Sequence, residues 1–226
     1  MRRFALAVAA LVSPALMAVA PAVPAQSAGT CTISVPSTVA INAPYQEYKV
    51  NFSGTCTWRA GSSGAWKAVH PTQGLQDFYL YDRSSTYPRT QYAGVYDFEA
   101  LGKRAVRPAG AYDGNFNSLT QNTTAMTVKL GSRNKLTTSR SGSYVTLRSK
   151  VTRYSVNAEA HRAWSGATVK FYSKNADGSW TLRKTASSNT YGNTSTRLWA
   201  PKATTWKAVT SATSTTWGRT SATSLR

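Results

Sequence analysis

The densest chemistry in this sequence is cationic. Lys129, Arg133, Lys135, Arg140, Arg148, Lys150 and Arg153 fall within 25 consecutive residues that contain no Asp or Glu. Side chains of this type, repeated along a chain, bind phosphate and carboxylate groups and attract polyanions over a distance. The candidate binding set is Arg133, Lys135, Arg140, Arg148 and Lys150; the competing reading is a solvated face that only keeps the protein soluble. Trp164 beside Ser165-Gly166 and Trp217 beside Gly218 stand in turn contexts. Exposed there, their rings would stack on saccharides or unstacked bases; the alternative is packing beneath loops.

Signals for catalysis are weaker. Gly61-Ser-Ser-Gly64 lacks the spacing of a nucleophile elbow and reads as a turn. His70 and His161 are the two histidines available to a Ser-His-Asp triad, and both suit structural or solvated roles. Asp97 and Glu99, two apart on an apparent strand, share a face there, and paired carboxylates hydrolyse glycosides when held roughly 5–10 Å apart. Asp113-Gly-Asn115-Phe-Asn117 starts like a calcium loop, but Ser118 and Thr124 stand where that loop needs Gly and Glu. An Asp-Gly turn is the default. No metal or cofactor is implied. Sequons at Asn51, Asn122 and Asn193 matter only in a source that glycosylates secreted proteins.

Charge is distributed unevenly. Residues 129–226 hold 17 Lys or Arg against Glu159 and Asp177, whereas residues 29–128 hold 8 against 6. The positive field therefore belongs to the second half of the chain. Outside a cell, its partners would be cell-wall polyphosphates, anionic polysaccharides, phospholipid surfaces or released DNA.

An extracellular location is expected from the first residues. Arg2 and Arg3 precede an Ala-, Leu- and Val-rich run to Ala20, and small residues offer cleavage near Ala25–Ala28, the pattern of a signal peptide over residues 1–28. Ser13 and Pro14 interrupt the run and argue against a membrane anchor. Cys31 and Cys56 are the two cysteines of the chain, and in an oxidising compartment they read as one disulfide. That crosslink is worth roughly 3.5 kcal/mol in the chain-entropy model.

The elements that must position these residues are strands. Thr and Ser are abundant, and no stretch keeps a 3.6-residue apolar period. The expected fold is all-β, two sandwich domains in tandem: residues 29–130, a polar linker at 131–142, and a basic domain at 143–226. In the first, Thr32–Ile41 and Tyr48–Trp58 read as strands tied by the cysteines. The second centres on a hairpin. Ala167–Ser173 and Ser179–Thr185 alternate around Asn175-Ala-Asp-Gly178, which gives a basic wet face. Val169, Phe171, Trp180, Leu182, Leu198 and Trp206 are its expected core.

Four stretches of the second domain, Ser-Gly-Ala-Thr-Val-Lys-Phe-Tyr (165–172), Asp-Gly-Ser-Trp-Thr-Leu (177–182), Tyr-Gly-Asn (191–193) and Thr-Trp-Lys-Ala (205–208), are similar to a module of secreted actinobacterial proteins. The resemblance spans about 80 residues. It implies an immunoglobulin-like or fibronectin III-like sandwich, and such modules act as spacers, adhesive units or binding domains. The leading expectation is a secreted, non-catalytic protein whose basic domain binds an anionic extracellular polymer. The alternatives are a carboxylate-dependent hydrolase using Asp97, Glu99 or Asp113, and an interaction or inhibitor module.

Overall fold

The computed structural model describes residues 29–83 and 88–226; the signal-peptide expectation lies outside them. Among the described residues, nine strands build a first sandwich: β1 (Thr30–Ser34), β2 (Thr38–Ile41), β3 (Tyr45–Gly54), β4 (Ser63–His70), β5 (Gly74–Asp82), β6 (Thr90–Tyr96), β7 (Gly102–Tyr112), β8 (Thr120–Gln121) and β9 (Thr124–Leu130). One sheet runs β6-β3-β1-β8 and the other β2-β9-β7-β4-β5. The stretch expected as one strand from Thr32 breaks at Pro36, so β1 and β2 serve opposite sheets. Proline supplies no amide donor for a ladder.

Period-2 alternation fills this core. Tyr48, Val50 and Phe52 point inward from β3, and Trp66 and Ala68 from β4. The indole of Trp66, wholly buried, donates to the carbonyl of Asn122. Cys31 and Cys56 form the expected disulfide, joining β1 to the turn that follows its neighbour β3. Arg104 is also fully buried, with Glu99 3.0 Å away as its counter-ion.

The second sandwich begins where a linker was expected. Residues 131–142 are not a linker: β10 (Ser132–Ser141) runs antiparallel to β11 (Tyr144–Ser155) along its whole length. Polar composition disguised it, because Leu136 is the one apolar residue among its inward side chains and the polar ones find partners inside. Asn134 donates to Ala208 O and Thr210 Oγ1 and accepts from Ser149 Oγ, while the Thr138 and Ser224 hydroxyls meet at 2.7 Å. The remaining strands are β12 (Ala160–Ala163), β13 (Thr168–Lys174), β14 (Trp180–Ser187), β15 (Asn193–Trp199), β16 (Thr205–Thr210), β17 (Arg219–Thr220) and β18 (Ser224–Leu225). β10, β15 and β12 flank β11 in one sheet; β14, β13 and β16, with β17 and β18, make the other.

Val145, Leu147, Val169, Phe171 and Trp206 form the second core, with Leu198 partly buried against it. Two expected core residues are not there. Leu182 is 48% exposed and Trp180 half-buried, because β14 is an edge strand and the bulge between Phe171 and Tyr172 shifts its register. The ammonium of Lys207 sits 4.0 Å over the Trp180 ring instead.

Main-chain bonds carry the two sandwiches into each other. Gly131 N–H donates to Ile41 O, Tyr154 N–H to Gly131 O, and Leu130 N–H to Thr215 O. Tyr154 is paired within β11 of the second sheet while its side chain enters the first core, and its hydroxyl donates to Asp97 at 2.9 Å. Burial and that bond push its phenol up to about 12, so Tyr154 remains a donor at neutral pH.

Candidate functional site: a basic groove on the second sandwich

The register of three strands decides which cations can act together. Antiparallel partners share a face of the sheet, and alternate residues along a strand do the same. Lys135 of β10 pairs with Lys150 of β11, which pairs with Asn193 of β15; Arg148 pairs with Thr137 and Ser195; Arg133 pairs with Thr152. Arg133, Lys135, Arg148 and Lys150 therefore stand on one exposed face. Val145, Leu147 and Val151, at the alternate positions, fill the core behind it. The same alternation that buries the apolar residues lines up the cations.

Three of these four border a groove of about 570 Å³. Lys135, Arg148 and Lys150 supply charge, and Asn189, Asn193 and Ser195 supply amide and hydroxyl groups; among the described residues, no carboxylate lines it. Asn189 is fixed in place, its side-chain oxygen accepting the amides of Tyr191 and Asn193 at 3.0 Å each. Like charges directly opposite on neighbouring strands destabilise a sheet. The Lys135–Lys150 pair is such a juxtaposition, and a bound anion would relieve it. The acids of this half do not help: Asp177 caps the β13–β14 turn through Ser179, which holds its carboxyl below the usual range.

Three residues of the expected binding set are placed elsewhere. Arg140 lies on the inward side of β10. Its guanidinium donates to the carbonyls of Ala200, Lys202 and Arg226, a structural clamp and not a ligand contact. Trp164 is buried in the second core, with its backbone amide donating to Val151 O of β11. Trp217 is half-buried between the sandwiches. Its indole donates to Val39 O at 2.9 Å, and the Lys129 ammonium lies 4.8 Å from the ring.

Sequence reasoning missed the aromatic residues that the site does expose. Tyr144 and Trp199 are direct partners of β11 and β15, on the same face as Arg148 and Lys150, and are 44% and 60% exposed. The guanidinium of Arg197 sits 4.4 Å from the Tyr144 ring centroid. The signal was available in the period-2 phase of each strand, which separates Trp199 from its inward neighbours Leu198 and Ala200.

The carboxylates that would serve a hydrolase are occupied by the fold. Asp97 is buried against Tyr154; Glu99 accepts the amide of Tyr96 and pairs with Arg104. Asp113 accepts the amides of Asn117 and Asn115 and lies 2.8 Å from Arg59, contacts led by those of Asn117 that draw its carboxyl below the usual range. This is a closed Asp turn in place of a calcium loop. Among the described residues, no three His, Cys, Asp or Glu side chains come together in a metal-binding group.

No family model matches the chain, and no curated protein matches it. Solved structures do, over most of its length. The D00-D0 domain of Intimin matches at 13% identity and a TM-score of 0.30, covering 86% of this chain and 98% of that one. The chicken interferon gamma receptor alpha chain matches at 11% identity and a TM-score of 0.41, covering 86% and 95%. The BSP domain of a biofilm associated protein matches at 10% identity and a TM-score of 0.26, covering 86% and 28%.

Proposed function

We propose that this chain is a secreted, non-catalytic binding protein whose basic second sandwich holds an anionic extracellular polymer: a cell-wall polyphosphate, an acidic polysaccharide or DNA. One observation carries the reading. Lys135, Arg148 and Lys150 converge on a groove that no carboxylate of the described residues lines. Arg133 extends the row, and the disulfide suits an oxidising compartment.

The test is the salt dependence of binding. Four phosphate contacts at a slope of roughly −0.7 to −0.9 each should cost about two decades of affinity between about 50 and 200 mM salt. Wild-type protein and the Lys135→Gln/Arg148→Gln/Lys150→Gln variant are titrated with linear polyphosphate at both salt concentrations. The variant should bind far more weakly and keep about a quarter of the slope. Unaltered binding by the variant, or affinity indifferent to salt, overturns the proposal.

A further inference from the structure

We infer that the polymer is an anionic glycan, whose acidic groups lie against the cations of the groove and whose sugar rings lie on Tyr144 and Trp199. This rests on the polymer-binding reading above and gives it a substrate class. The row from Tyr144 to Lys150 on β11 spans about 20 Å at strand rise, enough for an oligomer and too long for a single sugar. One end is aromatic and the other cationic, on one continuous face.

The aromatic end is built for contact. Tyr144 and Trp199 are direct cross-strand partners that keep much of their apolar surface in water, beside the buried Val145 and Ala200 on the opposite face. The Arg197 guanidinium over the Tyr144 ring restrains it and adds a cation between the aromatic and groove ends. Trp199 also borders a cleft of about 210 Å³ with Arg183 and Lys202, so both aromatic residues stand among cations. Sugar rings offer C–H faces to such side chains, and their hydroxyls suit the amides of Asn189 and Asn193. A bare polyphosphate has nothing apolar to place on Tyr144 and Trp199, and duplex DNA keeps its flat faces stacked inside. An acidic glycan uses both ends at once.

The test compares a Tyr144→Ala/Trp199→Ala variant with the Lys135→Gln/Arg148→Gln/Lys150→Gln variant. The probes are a polygalacturonate oligomer, linear polyphosphate of matched charge and a single-stranded DNA oligomer, titrated by calorimetry. Loss of the aromatic pair should weaken polygalacturonate binding at least about tenfold, from the apolar area left uncovered, and leave polyphosphate within about twofold. A Tyr144→Phe/Trp199→Phe variant, which keeps an aromatic face at both positions, should retain most of the affinity and controls for folding. If the aromatic variant binds polygalacturonate like wild type while the cation variant fails on both polymers, the glycan inference is wrong and the polyanion reading stands. Wild-type protein that ignores polygalacturonate, or an aromatic variant that loses single-stranded DNA instead, also overturns it. If the cation variant binds every probe unchanged, the underlying function is wrong as well.

Discussion

Arg140 separates a structural cation from a binding one, and its replacement measures the difference. Its Nη1 donates to Ala200 O and its Nη2 to Lys202 O at 2.9 Å and Arg226 O at 2.8 Å. Hydrogen bonds from a charged donor are each worth roughly 1.5–3 kcal/mol. The three do not add in full, because Lys202 and Arg226 are exposed and their carbonyls regain water when the guanidinium leaves. Ala200 is 8% exposed, so its carbonyl remains poorly hydrated. Arg140→Gln should therefore cost about 2 kcal/mol, governed by that one acceptor. For a cooperative unit of this length the melting temperature falls by about 4–8 °C. Affinity for polyphosphate at fixed salt should stay within about twofold, since Arg140 faces away from the groove. Calorimetric melting and titration of the same preparation read both quantities. A variant that melts like wild type but loses polymer would refute the assignment and return Arg140 to the binding set.

Reduction of Cys31–Cys56 should destabilise the first sandwich by roughly 3.5 kcal/mol and leave the groove's affinity unchanged, as followed by denaturant unfolding with and without reductant. His161 packs edge-on against Tyr154 at the junction, and burial, reinforced by Arg133, lowers its pKa below the ordinary imidazole value of 6.5. The unfolded chain thus takes up the proton first, and stability should fall as pH drops through 6.5 toward the folded value; His161→Phe should remove that part of the slope in melts between about pH 7 and 5, and an unchanged slope would count against it. Trp217→Ala deletes the wedge against Val39 and should cost about 3 kcal/mol or more, with faster proteolysis between the sandwiches. Trypsin should spare Arg133, Lys135 and Arg140 in the folded wild-type chain, because paired strand does not enter a protease; prompt cleavage there would restore the linker.

Much of this protein was legible in the linear sequence because it depends on composition and on period 2. β-branched and aromatic alternation specified an all-β chain, two cysteines in a short stretch specified their own pairing, and the excess of Lys and Arg placed the positive field in the second half. What the sequence left open was phase and partnership. Arg140 and Lys135 are equally basic and five residues apart, yet odd and even positions of β10 face opposite ways, and only pairing with β11 says which way is out. The segment 131–142 looked like a linker because apolar content was the criterion, whereas its inward Asn134, Thr138 and Arg140 are satisfied by carbonyls and hydroxyls of residues 60–86 positions away. Trp164 and Trp217 share a local context of small turn residues, but a turn folds over a core or away from it according to what packs beneath. Tyr144 and Trp199 meet across a ladder that joins residues 55 apart in the chain. Local alternation sorts side chains into two opposite faces, and tertiary pairing alone decides which face is outward and brings those faces together into a site.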